Sequence, residues 1–153
     1  MIKDNQKYFN RLHVIIDALV IIGSYMLSWY LKFEGPFADK TKGAHSMGFY
    51  FAALYFVVPV YMIFYYMNKM YTPKRTQSVE TEIINVCKAN TMGAIAFMVA
   101  ITAFKIEDFS RLMIGIFFCT NIILTLAVRC LIRYLLRVFR KKGYNLKYIL
   151  LVG

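Results

Sequence analysis

From Gly43 to Asn68 the chain carries no Asp, Glu, Lys or Arg. An uncharged apolar run of that length has few homes. An α-helix of roughly 20 residues crosses the ~30 Å hydrocarbon layer of a bilayer, and the run fits one such helix over about 48–68. Pro59 falls inside it, a break that membrane helices tolerate. Three more segments read the same way, over about 12–33, 83–104 and 110–140. The first stops at Gly35-Pro36, a helix-ending pair, and the last has Asp108 or Ser110 as its N-cap. With 59% hydrophobic residues among 153, the bilayer is the expected solvent. The predicted fold is all-α, an integral membrane four-helix bundle.

The net charge of +11 sits between the apolar runs. It therefore reads as a topology signal and an attraction to anionic lipid rather than as a nucleic-acid surface. With the N-terminus inside, fourteen Lys and Arg fall on the cytoplasmic side and five outside. Both termini are predicted to be cytoplasmic. The first apolar run holds Asp17 and leads into "SWYLKFEGPF", so it is not a cleavable signal. Trp29, Tyr30 and Phe33 are expected to meet Phe49, Tyr50 and Phe51 at the outer interface. Cys87, Cys119 and Cys130 form no CxxC and read as small apolar residues.

Asp17 reads as the one acidic residue within a span. Charges at such depth are found with partners. Arg129 lies at comparable depth on the last helix, and the sequence predicts an Asp17–Arg129 ion pair tying the first helix to the fourth. Arg129, Arg133, Arg137 and Arg140 recur on one helix face, a stripe that would snorkel or hold a lipid phosphate. Ala89, Gly93, Ala96 and Ala100 form a small-residue face, either an intramolecular seam or a homodimer face, with Ser24 and Ser28 a weaker version on the first helix. His13 and His45 fall on opposite sides of the membrane. No paired accessible carboxylates, Ser/His/Asp set, metal-ligand spacing or glycine-rich phosphate loop appears. The segment is expected to be catalytically inert and to need no cofactor of its own.

After Gly143 the chain reads "YNLKYILLVG", an apolar run closing on glycine. Residues 144–153 are expected to open the first strand of a cytoplasmic Rossmann-like domain, and the chain reads as a module cut at that strand.

The stretch "FSRLMIGIFFCTNIILTLAVRCLIRYLLRVFRKKGYNLKYILLVG" resembles the last membrane helix of the large bacterial polyprenyl-phosphate glycosyl-1-phosphate transferases. It has the Ser110-Arg111 opening, Arg129 near the inner end and the basic "RKKGYN" exit. "LHVIIDALVIIGSYMLSWYLKF" and "MYTPKRTQSVETEIINVCKA" are similar to other parts of that family. The resemblance implies an anchor, dimerising or modulating module in the bacterial inner membrane. The parent enzyme would move a sugar-1-phosphate from a UDP-sugar to undecaprenyl phosphate in exopolysaccharide or capsule synthesis. Its metal-dependent chemistry, expected to use Mg²⁺, would lie in a separate C-terminal domain. Two alternatives stand beside it. One is the membrane part of a nucleotide-sugar dehydratase or epimerase, and the other is a small four-helix transporter.

Overall fold

The computed structural model describes residues 2–36, 47–71, 78–107 and 109–141. They form four helices and, among the described residues, no strand: α1 (Ile2–Phe33), α2 (Met47–Met67), α3 (Val79–Ala103) and α4 (Arg111–Lys141). Each is long and apolar enough to cross a membrane. The expected strand within 144–153, the Asp108 cap and His45 lie outside the described residues.

Two starts differ from the hydropathy reading. α1 begins at Ile2, not near Leu12. The polar segment Ile2–Arg11 holds no Gly or Pro, so nothing stops the helix where the apolar run ends. α3 begins at Val79, not near Ile83. Ser78 is its N-cap, and its Oγ accepts from the Thr81 amide at 3.3 Å. Glu80 and Glu82 follow in the first turn, where carboxylates favour the helix dipole. In α4, Ser110 Oγ accepts from the Met113 amide at 3.4 Å.

α2 and α3 end alike. Lys69 and Lys105 take left-handed backbone angles, φ 54° and 52°. The amides of Met70 and Ile106 reach back to the carbonyls of Tyr65 and Ile101, at 3.2 and 3.0 Å. Lys69 and Lys105 bond Tyr66 and Thr102 in the same way. Together these bonds make two Schellman caps with lysine at the position that glycine favours. The second cap makes the tight α3–α4 hairpin.

α1 packs most extensively on α4, α2 on α3, and the ring closes through α3–α4 and α1–α2. Asp17 and Ser24 of α1 meet Arg129 and Asn121 of α4, in reverse order. The same direction test makes α1 and α3 parallel to each other and antiparallel to α2 and α4. One end of the bundle thus gathers the start of α1, the end of α4 and the turn after α2. We call it the charged end.

The opposite end is aromatic. Phe33 lies 5.2 Å from Tyr50 and Tyr50 lies 4.9 Å from Phe109, ring centre to ring centre. The Tyr25 hydroxyl donates to the Tyr50 carbonyl at 3.0 Å, joining α1 to α2. Phe117 packs edge-on against Tyr25 and Tyr61.

Candidate functional site

Two polar layers cross the bundle interior. The first lies near the charged end. Arg129 Nη2 donates to Asp17 Oδ2 at 2.8 Å, so α1 and α4 meet through that pair. The same guanidinium donates through Nη1 to Glu82 Oε1 of α3 at 3.0 Å. Glu82 Oε2 in turn accepts from Arg133 Nη2. Asp17, Glu82 and Arg129 are all nearly inaccessible, whereas the Arg133 side chain keeps 22% of its surface. Among the described residues two carboxylates thus balance two guanidiniums, and three helices share one ionic cluster. Such a cluster needs the full pairing, because a buried charge left alone costs far more than the pair contributes.

The turn after α2 closes this layer from below. The Schellman cap buries Met70 and sets Tyr71 close enough to the Asp17 carboxylate to feel its charge, while its hydroxyl donates to Met62 Sδ at 3.8 Å. Burial, and then the neighbouring carboxylate, push the Tyr71 phenol above its ordinary range. His13, one turn before Asp17, is buried and interacts electrostatically with it.

The second layer lies two turns further in. Ser24 and Asn90 follow Asp17 and Glu82 by seven and eight residues, and Asn121 precedes Arg129 by eight, each on the same helix face. Ser24 Oγ donates to Asn121 Oδ1 at 2.9 Å. Asn121 Nδ2 donates to Asn90 Oδ1 at 2.5 Å and to the Tyr65 hydroxyl at 3.1 Å. Tyr65 and Thr125 hydroxyls share a bond at 3.3 Å, and Asn90 Nδ2 returns to the Val86 carbonyl at 2.9 Å. All five side chains are buried. Every helix contributes to this layer, which fixes their register, because a slipped helix would leave amides unpaired in an apolar interior.

The arginine stripe divides. Arg129 points inward and spends both terminal nitrogens on carboxylates, so it leaves the lipid-facing set. Arg133 is held at the rim by Glu82. Arg137 is exposed, and the Arg140 side chain lies outside the described residues. The small-residue face divides too. Ala89 and Gly93 are buried. A methyl group at Gly93 would come within 2.8 Å of the Tyr61 ring, so Gly93 lets α2 and α3 approach inside one chain rather than across a dimer. Ala96 and Ala100 are half-buried. Ala100 lines an apolar cleft of about 270 Å³ between Phe49, Phe56, Phe97 and Phe104 at the aromatic end.

Sequence reasoning missed Glu82, because it sits among polar residues at the foot of a span. It missed Asn90 and Asn121 because amides barely lower a hydropathy average. The missed signal was the repeat of polar positions two turns along from each charged one.

Among the described residues no group of three His, Cys, Asp or Glu side chains could hold a metal. Asp17 and Glu82 are already committed to guanidinium, so this site does not fit the Mg²⁺ expected of the parent enzyme. The fold and site define a membrane-type four-helix bundle clamped by a buried ionic cluster. A family model described as a CoA-binding domain matches residues 67–153. The chain belongs to that family, a domain found in polyprenyl-phosphate sugar transferase-type proteins. No curated protein and no solved structure matches it.

Proposed function

We propose that this chain is the membrane module of a bacterial polyprenyl-phosphate sugar-1-phosphate transferase of exopolysaccharide or capsule synthesis. It crosses the cytoplasmic membrane four times with both termini in the cytoplasm. The observation that carries this reading is the family match over 67–153, joined to four helices of membrane-crossing length. The excess of cations at the charged end supports the orientation.

In this reading the bundle performs no bond chemistry. It holds a transferase domain at the surface where undecaprenyl phosphate lies, replacing a search in three dimensions by one in two. UDP-sugar and Mg²⁺ belong to that other domain. The ionic cluster locks α1, α3 and α4 together at the end from which that domain is carried. The nucleotide recognition that the family's description implies would fall after residue 144, since the helices hold no phosphate-cradling glycine loop.

The test is to express the native gene product in membranes and supply UDP-sugars with undecaprenyl phosphate. Release of UMP with a lipid-linked sugar phosphate is expected. An altered UDP-sugar without UMP would replace this reading with the dehydratase or epimerase. Solute flux without either product would replace it with a transporter.

A further inference from the structure

Among the described residues α2 is the shortest helix, 21 residues, and it holds no charged side chain. Its length of about 31 Å matches the hydrocarbon thickness, so its two ends mark the membrane boundaries on its neighbours. At the charged end, Asn68 Nδ2 meets Met92 Sδ of α3 at 3.6 Å. The foot of α2 is therefore level with the Lys88–Met92 turn of α3. Below it α3 runs on for nine residues to Val79.

Lys88 is exposed on this face, one turn from Met92. Side chains on a helix tilt toward its N-terminus, and the N-terminus of α3 is at the charged end. The Lys88 stem therefore runs along the outer face of α3 toward headgroup depth, as a snorkelling lysine does. Its neighbours one turn away are Ile84, Asn85, Thr91 and Met92, and no carboxylate occurs between Gly43 and Ser78. Of the two described carboxylates of α3, Glu82 is committed to α4, and Glu80 lies eight residues, about 12 Å of rise, away. Above the lysine, exposed Met67 and Met92 offer apolar contact.

We propose that Lys88 holds the phosphodiester of one anionic phospholipid where α2 ends against α3. The single ammonium matches the single charge of a diester, and an acyl chain would lie along Met67 and Met92. This rests on the membrane placement in the proposed function and not on the transferase assignment.

The test places the purified chain in nanodiscs of phosphatidylcholine with a minor fraction of phosphatidylglycerol. Retained lipid is counted by native mass spectrometry, and a parallel set carries undecaprenyl phosphate as the minor component. The wild type is expected to retain one phosphatidylglycerol. Lys88→Gln should lower that retention about fivefold, the effect of one cation near an anionic surface. Arg11→Gln, which removes an exposed cation on α1, should leave it unchanged. Equal loss in both variants would reveal diffuse attraction and overturn the site. So would equal retention of phosphatidylcholine, or retention of undecaprenyl phosphate alone. Absence of UMP release in the membrane assay would leave this proposal standing.

Discussion

Replacing Arg129 by Gln should be the most damaging single change in the charged layer. Arg129 serves two acceptors at once, Asp17 at 2.8 Å and Glu82 at 3.0 Å. Without it Asp17 loses its guanidinium partner, and Glu82 loses one of the two guanidiniums that it accepts from. Stranding a buried charge costs about 3–5 kcal/mol. Asp17→Asn is a milder change. It removes the carboxylate with little change of shape and leaves Arg129 bonded to Glu82, so the cost should be about 1–2 kcal/mol. In the double variant the Asn amide faces a neutral Gln, and the Asp17 charge is no longer stranded. Its loss should fall short of the sum of the singles by about 1–2 kcal/mol. For a chain of this size 1 kcal/mol moves a melting temperature by roughly 2–4 °C. Arg129→Gln should therefore melt roughly 6–20 °C below wild type in detergent, by the same conversion. Additive losses, or an Asp17→Asn loss as large as that of Arg129→Gln, would refute the shared-guanidinium account.

Other expectations follow from particular contacts. Gly93→Ala should cost about 1–3 kcal/mol, because the added methyl meets the buried Tyr61 ring. Adding Tyr61→Leu should recover part of that loss in the same melting assay. Asn121→Leu removes the donor to Asn90 and the acceptor of Ser24. It should cost about 2–3 kcal/mol by thermal melting, since the partners stay buried and unpaired. Lys105→Gly relieves a left-handed lysine and should be neutral or stabilising by up to about 1 kcal/mol. The Tyr71 phenol is raised in the folded chain from its ordinary 10.0, so the folded state keeps its proton after the unfolded state has lost it. Stability from this group is complete below pH 10 and falls as pH rises beyond it. Tyr71→Phe should make that alkaline decline shallower in a pH series of melting curves.

The legible parts of this molecule were those where one residue type stands out against its surroundings. An aspartate inside an apolar run needs a cation, and the only arginine at matching depth on the last helix was Arg129. Glycine among alanines on α3 marked close approach, and the structure puts the Tyr61 ring against it. The start of α3 was not legible, because hydropathy registers where apolar residues begin and not where a serine cap lets a helix begin. That displacement hid Glu82 and made Arg133 look like a lipid contact when it is half of a second ion pair. The amide layer was hidden for a different reason. Asn90 and Asn121 have meaning only in register with each other, and register depends on how four helices stack.

α4 is one unbroken helix of 31 residues, and its cluster residues Arg129 and Arg133 clamp it well before its end at Lys141. The eight residues beyond Arg133 act as a rigid shaft of about 12 Å. Anything joined to that shaft inherits a fixed height and a fixed rotational phase relative to the bundle. One residue inserted between Arg133 and Arg137 would lift the attachment by about 1.5 Å and turn it by roughly 100°. Seven would lift it by about 10 Å and bring it back to nearly the same heading. The cluster therefore works as an angular reference, and the bundle would set the direction in which anything joined to it faces as well as where it sits.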